Sequence, residues 1–248
     1  MKKAYRVRLP LLFWTGVWQL AAAAVGKELL LPAPLAVGRR LLELSGTGAF
    51  WLTAGASLGR ILLGLLAGVV LGTLLAGLTS ALPWADCLLS PAVKVIRATP
   101  VASFIILVLL WVETGRVPGV ISALMVLPVV WGNVSRGWAE TDPQLLELAR
   151  AYRFGRWRTL RRVYVPSVLP YFASGCRTAL GLAWKAGVAA EVLCLPKNAI
   201  GAQVYYAKIY LETPSLFAWT LAVIALSFLL EWAVGLLLRR LEGGGMRL

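Results

Sequence analysis

The chain has 248 residues, of which 59% are hydrophobic and only 15% charged, and its mean hydropathy is +0.77. Soluble globular domains average about 45–50% apolar and about 25% charged residues, so this composition excludes an ordinary soluble core. At about 20 residues per span, a chain of this length accommodates about six transmembrane helices. The sequence therefore predicts an all-α integral membrane protein, with a single transmembrane domain over residues 1–248.

The net charge is +14, from 25 Lys and Arg against 11 Asp and Glu. The basic residues lie between apolar runs, where membrane topology and anionic lipid headgroups account for them better than nucleic acid does. We therefore expect membrane lipid and no nucleic acid among the partners. Because the sequence has no histidine and its three cysteines form no CxxC pair, we expect neither a metal site nor catalytic residues.

Apolar runs separated by prolines and glycines predict the spans. The first run resembles the core of a signal peptide, but no small-residue cleavage site leads into a polar domain, so it is interpreted as an uncleaved span. The predicted spans are residues 10–31, 53–80, 96–112, 117–135, 167–193 and 216–238. In the second span Gly64, Gly68 and Gly72 recur at every fourth position, a spacing that favours close packing of helix backbones in lipid.

The connections between spans predict the orientation. With the N-terminus inside, sixteen Lys and Arg fall in cytoplasmic segments and six in outer segments. This inside-positive bias places both termini in the cytoplasm of a multi-pass protein. The expected location is the bacterial cytoplasmic membrane.

The longest break between spans covers about residues 137–166. Asp142 followed by Pro143 predicts a helix start, with Asp as the N-cap and Pro at the first helical position. Apolar residues then alternate with arginines up to Val165-Pro166, which predicts a pair of short amphipathic helices that ends there. Periodicity alone leaves open whether this segment binds anionic lipid or a protein partner.

The same segment resembles the EAA motif of bacterial ABC-importer permeases, which reads Glu-Ala-Ala, three residues, Gly, nine residues, Ile-x-Leu-Pro. Glu147, Ala149 and Pro166 match that motif, whereas Arg153 stands where the family has Gly, with Gly155 two residues later. The resemblance implies a loop that couples to an ATPase. Its residues would be Glu147, Leu148, Ala149, Arg150, Arg153, Gly155, Val163, Val165 and Pro166.

The resemblance extends over most of the chain. Residues 57–72 are similar to the second span of the family, 97–100 to its Arg-x-x-Pro entry to the next span, and 181–191 to the fifth span of the nitrate, sulfonate and taurine branch. This implies a type I ABC-importer permease-like bundle that works as a dimer, here expected to be a homodimer. It also implies a separate ABC ATPase docked on each loop and an extracytoplasmic substrate-binding protein.

The chain has no G-x-x-x-x-G-K-[ST] phosphate loop, since Gly26-Lys27 is followed by Glu28. We therefore expect no cofactor in this chain, and ATP and Mg on the partner ATPase. An ion-coupled secondary transporter or channel is the main alternative, but such proteins often show inverted repeats, which we do not find. A membrane-embedded transferase would need paired acidic residues, and the acidic residues here are scattered.

Ionisable residues inside spans usually face a pore or a partner, because they are costly in lipid. The candidate translocation-pathway residues are Arg177, Gly181, Trp184, Lys185 and Glu191. At about 100° per residue, all of these except Lys185 fall on one face of the fifth span, and the two cations would attract a nitrate- or sulfonate-like anion. Pairing between helices, such as Lys185 with Glu191 of a neighbour, is the alternative. Arg60 is expected to pair or to reach the headgroups.

Overall fold

The computed structural model describes the backbone of residues 2–245 and the side chains of residues 9–238. Over that range the regular structure is helical, without a strand. The helices are α1 (Lys2–Val25), α2 (Pro34–Ser45), α3 (Gly48–Ala81), α4 (Pro83–Ala98), α5 (Val101–Val108), α6 (Val117–Ala139), α7 (Pro143–Ala151), α8 (Arg156–Thr159), a π-helical turn (Leu160–Tyr164), α9 (Val165–Cys194), α10 (Ile200–Ile209) and α11 (Thr213–Gly245). The basic side chains at positions 2–8 and 239–247, which contribute to the predicted orientation, lie outside the described side chains.

Four predicted spans coincide with the continuous helices α3, α6, α9 and α11. Among the described residues, α3, α6 and the part of α11 up to Leu238 are long and apolar enough to cross a membrane. Helix α9 carries three charged residues, which lower its hydropathy. Its 30 residues nevertheless span about 45 Å at about 1.5 Å per residue, more than the roughly 30 Å of a bilayer core.

The predicted span over residues 96–112 is wrong as a single helix. Helix α4 ends at Ala98, α5 begins at Val101, and the two are bent by 106°. Pro100 explains the break, because a proline ring disfavours the helical conformation of the residue before it, and Thr99 is extended (φ −78°, ψ 132°). If this bent pair is counted as one span, four spanning units meet the length and hydropathy criteria within the described residues.

The first predicted span, residues 10–31, is too long. Helix α1 ends at Val25, where Gly26 adopts φ +64°, a left-handed conformation that glycine takes without steric cost. The following segment, predicted as a connection, contains α2. This helix packs against α11, and the Arg40 Nε donates a hydrogen bond to Ser215 Oγ at 2.9 Å.

The centre of the bundle is α6, which packs along both α3 and α9. A Cβ placed on Gly64 would overlap the carbonyl oxygen of Gly119, and one on Gly68 would lie 2.6 Å from Val126 Cβ. A Cβ on Gly72 would lie 2.8 Å from a carbonyl oxygen of α6, whereas one on Gly77 would meet nothing within 4 Å. The glycine stripe is therefore a packing surface, and the prediction of close backbone packing is confirmed.

Candidate functional site

We call residues 137–166, which are expected on the cytoplasmic side, the cytoplasmic segment. The predicted helix start within this segment is confirmed. The Asp142 carboxylate accepts a hydrogen bond from the backbone N–H of Gln144 at 2.8 Å, and Pro143 is the first residue of α7. This arrangement satisfies one of the backbone donors that a helix start leaves unpaired. The helix therefore begins where local sequence alone dictates.

The end of α7 is built by Arg153. The N–H of Arg153 donates to the carbonyl of Arg150 at 2.9 Å, and the N–H of Phe154 donates to the carbonyl of Ala149 at 2.8 Å. This bond pair is the Schellman motif, which requires a left-handed residue, and Arg153 has φ 51°. It thus takes the conformation for which the related motif uses glycine, whereas Gly155 has an ordinary φ of −66°.

The predicted end of the second short helix at Val165-Pro166 is wrong. Helix α8, the π-helical turn and α9 follow one another without a break from Arg156 to Cys194. Proline has no N–H to donate within a helix, and the wider π-type turn lies immediately before Pro166. The cytoplasmic segment is therefore continuous with α9, the predicted fifth span, and no loop separates the two.

The inner side of the segment is fixed to α6. The ring of Tyr164 stacks on Trp138 with centroids 4.3 Å apart, and the Tyr171 hydroxyl donates a hydrogen bond to the Glu140 carboxylate. Val163, in the π-helical turn, is buried. The segment is thus a built part of the fold.

The outer side of the segment is open. Glu147 is exposed, and large apolar side chains accompany it, with Leu148 55% exposed, Tyr152 71% and Trp157 73%. Exposed apolar residues with a charged rim mark an interaction surface. Trp157 was not predicted from the sequence, although its position between Arg156 and Arg158 is a signal that could have identified it.

The structure places the five candidate pathway residues in two different environments. Arg177 and Lys185 are exposed, and a Cβ on Gly181 would meet nothing within 4 Å. Trp184 is buried, and its indole N–H donates to the carbonyl of Val223 at 3.2 Å. Glu191 has no exposed surface. Only the first three therefore contribute to an open surface of this chain.

That open surface of α9 is polar. Besides the two cations it includes Ser174 and Thr178, both exposed. Charged and hydroxyl side chains are costly against lipid tails, so this strip requires protein or water beside it. Helix α9 is therefore lined on one side by the bundle core and on the other by a polar surface.

Glu191 is paired inside the bundle. Its Oε2 accepts hydrogen bonds from Ser57 Oγ at 2.9 Å and from the N–H of Gly201 at 3.1 Å, and its Oε1 lies 3.5 Å from Arg60 Nη1. The pairing between helices that was left open is thus observed for Glu191, but with Arg60 of α3. We call Ser57, Arg60 and Glu191, which lie near the end of α9 that is expected on the outer side, the outer clasp.

The comparison with known proteins decides the identity of this arrangement. Residues 68–243, which include the cytoplasmic segment and α9, match the family described as "Binding-protein-dependent transport system inner membrane component". The chain belongs to this family. The predicted resemblance to ABC-importer permeases of the nitrate, sulfonate and taurine type is confirmed.

Individual relatives match most of the chain. The taurine transport system permease protein TauC of Escherichia coli K12 is 27% identical over 90% of this chain and 83% of its own length. The riboflavin transport system permease protein RibX of Chloroflexus aurantiacus is 32% identical over 90% and 84%. The putative aliphatic sulfonates transport permease protein SsuC of Escherichia coli K12 is 33% identical over 79% and 75%.

These findings establish the broad role. The chain is an inner-membrane permease subunit of an ABC importer that depends on a binding protein, and it is a transport subunit as its relatives are. The all-α membrane fold class is likewise confirmed. The comparisons do not favour a secondary transporter or channel.

Proposed function

We propose that the chain forms, with a second identical copy, the passage through which a small anionic solute enters the cell. ATP and Mg bind to separate ATPase subunits, one beneath each copy, and an extracytoplasmic binding protein delivers the solute. Both termini lie in the cytoplasm. In this arrangement the chain supplies the route and the mechanical connection, and the partners supply energy and selection.

The observation that carries the proposal is the continuity of the cytoplasmic segment with α9. The segment exposes Glu147, Leu148 and Trp157 on one side and runs through the π-helical turn into a membrane-spanning helix. A partner that binds the exposed side and changes shape would therefore move the bundle without any flexible linker between them. An interfacial helix that only holds lipid would not need such a connection.

The polar strip on α9 supports the passage and its dimeric form. Arg177, Gly181 and Lys185 face outward from this copy, and a second copy opposite would enclose a water-filled path between two such strips. Apolar side chains such as Leu63 and Phe228 are also exposed, and these face membrane lipid.

The two cations of the strip support an anionic solute. Electrostatic attraction raises the local concentration of ions of opposite sign in a narrow cleft. The names of the three relatives refer to taurine, aliphatic sulfonates and riboflavin, and the first two are compounds with a sulfonate group. The proposed class therefore rests on Arg177 and Lys185 together with part of the family.

The test is reconstitution of the chain with its ATPase and binding protein in lipid vesicles. We expect the ATPase to co-purify with the chain, native mass measurement to give two permease copies per complex, and uptake of an aliphatic sulfonate to require ATP. Uptake by the chain alone, driven by an ion gradient, would show a secondary transporter instead. A functional complex with one permease copy would overturn the dimeric passage.

A further inference from the structure

The loop between α9 and α10, residues 195–199, has an unusual backbone. Leu195 and Asn198 both adopt φ 50°, a left-handed conformation that residues with a Cβ rarely take. Such residues persist where the surrounding structure over-determines them, and they cluster at functional sites. We therefore expect neighbouring residues to hold this loop in place, and we expect the loop to have a function.

The outer clasp holds the loop from beneath. Arg60 donates one hydrogen bond to the carbonyl of Asn198 at 3.0 Å and another to the carbonyl of Lys197 at 2.6 Å. Ser57 Oγ accepts a hydrogen bond from the N–H of Ile200 at 2.9 Å. Two side chains of α3 thus fix the backbone at two points in the loop and at the first residue of α10.

Glu191 completes the attachment. It accepts hydrogen bonds from Ser57 and from the first turn of α10, and it is fully buried while the Arg60 side chain remains 24% exposed. The start of α10 lies directly against α9, because a Cβ on Gly201 would be 2.5 Å from Glu191 Cβ. The loop, α3, α9 and α10 are therefore joined at one buried point.

The opposite side of the loop is open. The side chains of Lys197 and Asn198 are exposed, although their carbonyls are held by Arg60. A loop with a fixed backbone and exposed polar side chains binds a partner without the entropy cost of ordering. This arrangement is preorganised on the face that points away from the bundle.

We propose, on the basis of the proposed function, that the outer clasp positions residues 195–199 as a contact point for the extracytoplasmic binding protein. The Lys197 ammonium and the Asn198 amide meet carboxylate or carbonyl groups of that protein. Ser57, Arg60 and Glu191 are positioning residues that act through the loop.

Location supports this partner. The 30 residues of α9 span about 45 Å at about 1.5 Å per residue. The loop follows the far end of this helix, opposite the cytoplasmic segment. The family is defined by dependence on a binding protein, which must reach the chain from that side. A second copy of the chain is the competing occupant, and the experiment separates the two.

The experiment compares Ser57→Ala and Lys197→Glu in the reconstituted complex with loaded binding protein. The control is Ser45→Ala, because the Ser45 hydroxyl donates only to Leu42 of its own helical turn. Hydrogen–deuterium exchange reports on the amides of Ile200 and Gly201. ATPase activity, titrated with loaded binding protein, gives the half-saturating concentration and the maximal rate.

We expect Ser57→Ala to speed exchange of both amides and to raise the half-saturating concentration by about fivefold or more, with a similar maximal rate. Lys197→Glu should raise that concentration by a similar factor without faster exchange, since rim charges act on association. Faster exchange with an unchanged half-saturating concentration would make the clasp purely structural. Unchanged titrations for both variants, or a loss of dimer in Lys197→Glu, would overturn the proposal.

Failure of the proposed function has a different signature. If the proposed function is wrong, the ATPase activity of the parental and Ser45→Ala complexes will not respond to the binding protein. If those two complexes respond normally and both loop variants match them, only the contact point is wrong.

Discussion

The turn that ends α7 and the loop that follows α9 use the same backbone conformation in different ways. After α7, Arg153 is left-handed within a turn whose hydrogen bonds come from α7 itself. At the outer end of α9, Leu195 and Asn198 are left-handed in a loop that Arg60 of α3 holds from more than a hundred residues away in sequence. The first turn is local in origin, and the second exists only in the folded bundle.

This difference separates two kinds of surface. The outer side of the cytoplasmic segment exposes Glu147, Leu148 and Trp157, so substitutions there should change coupling more than stability. The glycine stripe and the outer clasp are interior, so substitutions there should first change packing. The following predictions test that separation.

The largest effect is expected for Glu147→Lys. Reversing a charge within a desolvated interface costs about 2–5 kcal/mol, which corresponds to roughly a 30-fold or greater loss of productive ATPase docking. Transport in vesicles and co-purification of the ATPase measure this loss, while the melting temperature of the membrane complex should stay unchanged. Gln144→Lys, an exposed position on the same helix, is the matched control. Parental transport in the Glu147 variant would contradict the coupling role.

Substitutions in the glycine stripe should lower the stability of the complex. Gly68→Ala places a methyl group 2.6 Å from Val126 Cβ, and such overpacking costs about 1–3 kcal/mol. We expect a lower melting temperature of the complex. Gly77→Ala, on the same helix with open space around it, should leave the melting temperature nearly unchanged. Equal effects of the two substitutions would show that the stripe is not a packing surface.

A substitution in the polar strip of α9 should have an effect of intermediate size on transport. Arg177→Gln keeps a polar side chain but removes the cation, and we expect transport of an anionic solute to fall by about fivefold, equivalent to about 1 kcal/mol. Thermal stability of the complex should remain near the parental value. Arg116→Gln, at a loop position where the parental side chain is 82% exposed, controls for net charge. A stable complex that transports at the parental rate would remove Arg177 from the pathway.

The smallest expected effect is a gain in the stability of α7. Arg153→Gly should stabilise the end of α7 by about 1 kcal/mol, because a residue with a Cβ pays about 1–2 kcal/mol for the left-handed conformation and glycine does not. Arg153→Ala removes the same side chain but keeps the Cβ, so it should bring no gain. Slower hydrogen exchange of α7 in the glycine variant alone would verify the local origin of this turn. Equal exchange in both variants would contradict it.

Sequence reasoning was most accurate where the cause is local or compositional. The apolar runs of α3, α6 and α11, the helix start at Asp142 and Pro143, and the glycine stripe depend on hydropathy, capping chemistry and spacing. Each of these causes acts within one helix or between a helix and lipid. The cytoplasmic segment was located for the same reason.

Two errors arose at prolines. The predicted span over residues 96–112 runs through Pro100, but this proline separates α4 from α5 and thus does end a helix. Pro166 does not end one, because the π-helical turn before it accommodates the missing donor. Whether a proline breaks, bends or joins helices depends on what packs around it, which the sequence does not display.

The sequence by itself determined that the chain spans the membrane, that arginines gather in one segment between two apolar runs, and that a motif there resembles a coupling loop. Only the tertiary structure decided that Trp184 and Glu191 face the core while Arg177 and Lys185 face outward. An ideal helix of 3.6 residues per turn assigns relative angles but not neighbours. The neighbours of α9 change along its length, and Ser57, which binds Glu191 from 134 residues away, leaves no trace in any local pattern.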